Sequence, residues 1–219
     1  MATPTLNYLD AIAHLPSGGT LILCDVSWRD YEELLVDLGE RYAARITYDN
    51  GRLEIMSPSL FHEMYKDLIL CVAHEIARVT DITVESRGST TFKHRWLGKG
   101  AEPDACFYVQ NAATVIGKRR IDLTIDPPPD VLAEIDVSRD SSRKLSFYAS
   151  LEVPELWLYD EESVRIYVLR TGGYSEVNAS QAFPILTSSA LTQFLEQSKT
   201  EGQTVALKAF RDWLKTQLL

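Results

Sequence analysis

Two acids stand two residues apart in the otherwise apolar run Leu132-Ala133-Glu134-Ile135-Asp136-Val137. Strand side chains alternate between faces, so Glu134 and Asp136 project to one side, where two carboxylates repel and lose hydration unless a cation compensates them. Carboxylate oxygens suit hard divalent ions such as magnesium or manganese. A further acidic element, Glu102-Pro103-Asp104, precedes the run, and Lys144 follows it. A bound ion lowers the pKa of its water, and a nearby ammonium offsets charge building on an attacked phosphate. The set therefore reads as a metal site for cutting phosphodiesters, with Glu134 and Asp136 at its centre, Glu102-Pro103-Asp104 before them and Lys144 after.

Each member alone has a plainer explanation. Pro-Asp is commonly a turn, a lysine at a helix start is commonly solvated, and two acids on an edge strand can simply face water. The weight lies in their combination and order.

The elements that must position these groups are visible as periodicities. Ser27 can cap a helix running to about Leu38, with Trp28, Tyr31, Leu34, Leu35 and Leu38 on one face. A hairpin follows, Arg45 to Tyr48 and Arg52 to Met56 around Asp49-Asn50-Gly51, because Asn-Gly accepts the positive φ of a tight turn. Phe61, Met64, Tyr65, Leu68, Ile69, Val72, Ala73 and Ile76 then mark a helix from about Leu60 to Val79. Strands are expected near 83–85, 90–93 and 105–109, with Gly98, Gly100 and Pro103 breaking the pattern between the last two. Val131 to Val137 reads as an interior strand with a functional end, followed by a helix over 141–151, strands at 156–159 and 164–169, and amphipathic stretches near 187–197 and 203–217.

At 219 residues the chain fits a single domain: an N-terminal extension over 1–44 with one helix, a core over 45–170 and a C-terminal strand and helical extension over 171–219. With 45% hydrophobic and 24% charged residues it has the composition of a soluble globular protein. A net charge of −9 argues against indiscriminate nucleic-acid binding, so any such contact must be local. Basic residues do cluster: Arg87, Lys93, Arg95 and Lys99 share an acid-free stretch, Lys118-Arg119-Arg120 follows, and Arg139, Arg143 and Lys144 come after the acidic run. Lys93, Arg95 and Arg143 are the candidate phosphate contacts, although a solvated surface explains the same residues.

Cys24, Cys71 and Cys106 have no metal-ligand spacing and sit among apolar neighbours, which suggests buried thiols in a reducing cytoplasm. The first residues lack the pattern of a signal peptide, and no apolar run approaches the roughly 20 residues of a membrane span. The expectation is a cytoplasmic protein.

The order Asp104, then Glu134-x-Asp136, then Lys144 resembles the PD-(D/E)xK nuclease superfamily. More closely, the chain is similar to the Uma-type endonuclease family of unknown function. The resemblance rests on Asp49-Asn50-Gly51-Arg52-Leu53-Glu54-Ile55-Met56-Ser57-Pro58, on His62, and on Glu102-Pro103-Asp104-Ala105-Cys106-Phe107-Tyr108. It continues through Pro128-Pro129-Asp130-Val131 into the acidic run, then Lys144, Tyr148 and Val153-Pro154-Glu155-Leu156-Trp157-Leu158-Tyr159-Asp160. It implies an α/β restriction-endonuclease-like fold, a mixed central sheet flanked by helices, and a magnesium- or manganese-dependent DNA endonuclease. By that pattern Asp104 and Glu134 bind the metal, Asp136 occupies the place of the motif lysine, either as a third ligand or as the partner that orients Lys144, and Lys144 is the displaced replacement.

His62, Glu63, Glu54 and Glu102 rank below this set as supporting groups, and Tyr148, Trp157 and Tyr159 read most simply as core aromatics. A catalytically inactive nucleic-acid or protein interaction module on the same fold, and a hydrolase of another phosphate ester, stay open as alternatives. A symmetric homodimer is a further expectation, since duplex cutters need two active sites and Leu207, Phe210, Trp213 and Leu214 look unpartnered in the last helix.

Overall fold

Ser27 starts the first long helix by closing a capping box. The Asp30 N–H donates to Ser27 Oγ (3.1 Å) and the Ser27 N–H donates to Asp30 Oδ2 (3.3 Å), satisfying two donors that a helix start leaves open. The computed structural model describes residues 8–39, 42, 44–135 and 142–218. In chain order its elements are α1 (Tyr8–Ala13), β1 (Thr20–Leu23), α2 (Trp28–Leu38), β2 (Arg45–Asp49), β3 (Arg52–Met56), α3 (Leu60–Thr80), β4 (Glu85–Ser86), β5 (Phe92–His94), a 3-10 turn (Arg95–Leu97), β6 (Lys99–Ala101), β7 (Ala105–Tyr108) and α4 (Ala112–Val115). Then come β8 (Val131–Ile135), α5 (Ser142–Ser150), β9 (Glu155–Tyr159), β10 (Val164–Arg170), β11 (Gly173–Val177), α6 (Ser188–Glu201) and α7 (Gln203–Gln217).

The described residues divide into two compact units, one drawn from 1–61 and 91–102, the other from 62–90 and 103–219. The first holds an antiparallel sheet in the order β1-β3-β2-β6-β5. Alternation puts Ile46, Tyr48, Leu53 and Ile55 on one face, where they bury against Tyr31 and Leu34 of α2. Tyr31 stacks on Tyr48 with ring centroids 4.8 Å apart.

The second unit holds a six-stranded sheet in the order β11-β10-β9-β8-β7-β4. Only β8 and β9 run parallel, joined through α5, so the sheet is mixed. Ala105, Phe107, Val131, Ala133, Ile135, Trp157 and Tyr159 share one core with Leu68, Val72 and Ile76 of α3, Leu191 and Phe194 of α6, and Phe210 and Leu214 of α7. The acidic strand β8 is interior, flanked by β7 and β9.

Several expectations change. Cys24 and Cys71 are exposed, and only Cys106 is buried, because the first follows an outer strand and the second lies off the apolar stripe of α3. Phe210 and Leu214 are consumed inside the second unit, with Leu207 and Trp213 packed against the same core, so the apolar residues that motivated a dimer have partners within the chain. Residues 20–23, the apolar stretch within the expected N-terminal extension, form β1, paired with β3. Gly100 does not break a strand but lies within β6, where a Cβ would collide with the Tyr31 ring.

Candidate active site

The register of β7 against β8 decides where the first two acids stand. Ala105 faces Ala133 and Cys106 faces Leu132 across the antiparallel pair, so Asp104 directly precedes the ladder at the end where Glu134 follows it. Asp104 is 2% exposed and its Oδ2 accepts the Ile135 N–H at 2.8 Å. Glu134, 7% exposed, sits near the C-terminal end of β8.

Alternation along β8 separates two roles. Val131, Ala133 and Ile135 face the core shared with α3, α6 and α7, which sends Glu134 to the opposite face. There α5 supplies its partners. Lys144 lies in the first turn of α5, and helical side chains lean back toward the N-terminus, so its ammonium reaches the strand end. Lys144 Nζ stands 2.8 Å from Glu134 Oε2. Tyr148, one turn later on the same face, donates its hydroxyl to Glu134 Oε1. Burial raises the Tyr148 phenol well above its ordinary value, and the Glu134 carboxylate and then Asp104 push it the same way. Tyr148 is thus a fixed, protonated donor.

Tyr148 is buried as a core aromatic and in addition donates its hydroxyl to Glu134, a bond the sequence does not announce. The only signal is spacing: Tyr148 falls four residues after Lys144, so any acid that meets one on a helix face meets the other. His62, near the start of α3, is buried. That burial lowers the imidazole below its ordinary value, and the Lys144 charge presses in the same direction. The neutral ring is therefore favoured, as a side chain that senses Lys144 and Glu134 together.

The remaining candidates have partners of their own. Glu63 forms an ion pair with Lys66 one turn along α3. Glu54, in the first unit, pairs with Arg52 at 2.5 Å. Glu102, also in the first unit, is buried rather than a surface acid: it accepts from Tyr42, from Thr91 Oγ1 (2.5 Å) and from the Ile46 N–H (3.1 Å). Burial nevertheless raises its pKa. Lys93 reaches Glu32 of α2 at 3.5 Å, while Arg95 and Arg143 are exposed. Asp136 lies outside the described residues.

A hard cation matches the donors that remain. A carboxylate offers about four acceptor sites, so Glu134, with one bond on each oxygen, keeps capacity for an ion. Among the described residues no group of three His, Cys, Asp or Glu side chains is gathered that could hold a metal. The fit is to two protein carboxylates with other positions left to water or phosphate oxygens, the usual manner of magnesium binding.

A mixed sheet flanked by helices brings Glu134 and Lys144 together at the end of its parallel pair. The Uma2 family model, described as "Putative restriction endonuclease", matches residues 28–198, and the chain belongs to that family. Among solved structures, the chain resembles one described as a putative nuclease belonging to DUF820 from Anabaena variabilis, with a TM-score of 0.52 at 14% identity, covering 74% of this chain and 97% of that one. At that identity the likeness speaks for the fold. No curated protein matches. Among the described residues no helix is long and apolar enough to cross a membrane.

Proposed function

We propose that this protein is a metal-dependent endonuclease that hydrolyses DNA phosphodiesters at the Asp104–Glu134 pair. The observation that carries the reading is the burial of Asp104 and Glu134 where β7 and β8 pair, Asp104 accepting the N–H of Ile135 next to Glu134, with the Lys144 ammonium on Glu134. Magnesium or manganese, when bound, supplies a water of lowered pKa and neutralises a phosphate oxygen. Asp104 and Glu134 hold it in this reading, with Asp136 as the third carboxylate. Tyr148 fixes the rotamer of Glu134, so one face of the carboxylate stays turned toward the ligand side. Lys144 presents its charge where negative charge develops on the attacked phosphate. Exposed Arg143, beside it in the first turn of α5, is the candidate contact to a flanking phosphate.

A second reading has its own support. Lys144 and Tyr148 each occupy one oxygen of Glu134, so this carboxylate has partners without an ion, as expected of a non-catalytic module on the same fold. One experiment separates the two. Supercoiled plasmid and single-stranded DNA are incubated with the protein across magnesium and manganese, beside Glu134→Gln and Asp104→Asn. Metal-dependent nicking by the wild type alone supports the enzyme; equal behaviour of wild type and variants supports the module.

A further inference from the structure

The hairpin formed by β5 and β6 exposes the largest apolar side chain in the protein's repertoire. Trp96, in the 3-10 turn at its tip, is 85% exposed, and Leu97 beside it is 38% exposed. A lone apolar side chain on a surface needs no explanation. This one has two further properties.

The first is rigidity. Lys93 pairs with Gly100 and His94 with Lys99, so the strands are in register to the base of the turn. Gly98 closes the turn in the left-handed region (φ 58°), where its N–H donates to the Arg95 carbonyl (3.0 Å) and its own carbonyl accepts the Asn50 N–H (2.9 Å). A Cβ at Gly98 would lie 2.6 Å from Asn50 Oδ1, so the tip is seated directly on the β2–β3 turn. Lys99 Nζ adds an ion pair to Asp49 at 2.7 Å. The indole is held out on a braced support and loses little freedom when a flat partner covers it.

The second is charge. No acid occurs from Ser86 to Ala101, in a chain whose net charge is −9. Lys99 and Lys93 are partly answered by Asp49 and Glu32, but exposed Arg95, next to Trp96, has no acidic partner among the described residues. A guanidinium and an indole side by side on a rigid tip combine a phosphate contact with a stacking face.

We infer that Trp96 is a nucleobase-stacking residue and Arg95 its phosphate contact, together forming a site for unpaired nucleic acid on the β5–β6 hairpin. The inference rests on the nucleic-acid reading above and extends it, because stacking requires a base free of its duplex neighbours. The site takes single-stranded or locally opened DNA with little base preference, since every base has a π-face.

The test is made without divalent metal, in EDTA, so that cleavage plays no part. Fluorescein-labelled oligothymidylate is titrated with wild type, Trp96→Ala, Trp96→Phe and Arg95→Ala, with circular dichroism confirming that each variant is folded. The expected result is quenching of tryptophan fluorescence in the wild type, binding roughly ten- to a hundred-fold weaker in Trp96→Ala, and most affinity retained in Trp96→Phe. Arg95→Ala should flatten the salt dependence. Absence of binding by the wild type, or equal affinity for wild type and Trp96→Ala, overturns the inference. So does loss of binding to phosphatidylcholine–phosphatidylglycerol vesicles in Trp96→Ala with oligonucleotide affinity unchanged, which would assign the tip to a lipid surface. Trp96-dependent binding by a protein that never nicks DNA with magnesium or manganese upholds the stacking site and ends the nuclease reading. Nicking by a protein whose Trp96→Ala variant binds and nicks normally does the reverse.

Discussion

At the scale of single residues, Glu134 is the point on which the candidate site turns, because its two oxygens answer to different partners. Replacing Tyr148 by Phe removes one donor while keeping the ring, so the fold should lose only about 1–2 kcal/mol, read from urea unfolding. Lys144→Ala removes the charge proposed to act on the phosphate, and plasmid nicking should fall by about 10²-fold. His62 gives a pH signature. Its folded pKa lies below the unfolded value of about 6.5. As pH falls through 6.5 the unfolded chain takes up a proton that the folded chain resists, so stability declines until the lower folded pKa is passed. His62→Gln should shrink the difference between urea midpoints measured at about pH 7.5 and about pH 5.5, the window set by that downward shift; an unchanged difference would remove His62 from the acid response. The acids themselves were legible, since carboxylates in an apolar strand and after a proline stand out in any reading. Their placement at one end of a strand pair was not, because β7 and β8 are joined by a long segment around α4 whose length says nothing of register. Tyr148 was hidden by its own chemistry: an aromatic on a helix face serves a core and a hydrogen bond equally well.

At the scale of elements, β7 and β8 are fastened at both ends by aspartates. Asp104 accepts the Ile135 N–H at one end. Asp130 accepts the N–H groups of Val109 (2.7 Å) and Asn111 (2.9 Å), and the Asn111 side-chain amide (2.6 Å), at the other. Asp130→Ala would leave two backbone donors without partners, and a loss of about 2–4 kcal/mol is expected in thermal or urea unfolding. Asp104 therefore has a structural duty besides its proposed ligand role, and Asp104→Asn, which keeps an accepting oxygen, is the cleaner activity control. The long periodic elements were readable: α3 shows its stripe over many turns, and Asn50-Gly51 announces its hairpin. Short strands were not. β1 is recognisable only through its distant partner β3, and in β6 Gly100 looks like a breaker until the Tyr31 ring that needs its missing side chain is in view.

At the scale of the whole molecule, charge limits what any nucleic-acid contact can be. With a net charge of −9, attraction must come from a few exposed cations such as Arg95 and Arg143. Two such phosphate contacts correspond to a log–log salt slope no steeper than about −2, measured by titrating oligonucleotide binding with sodium chloride. A much steeper slope would point to a broader basic surface. The thiols make a separate prediction. Cys24 and Cys71 are exposed, whereas Cys106 is buried and its pKa is pushed up to about 12, chiefly by burial. An aromatic disulfide reagent should therefore titrate two thiols in the native protein and the third only after denaturation. Cys71, raised by partial burial and by Asp67, should be the slower of the two. Because Cys24 belongs to one compact unit and Cys71 to the other, the natural chain already carries one dye attachment point on each. A donor–acceptor pair installed there, with no substitution at all, would make the protein its own ruler for movement between its halves as an oligonucleotide is added.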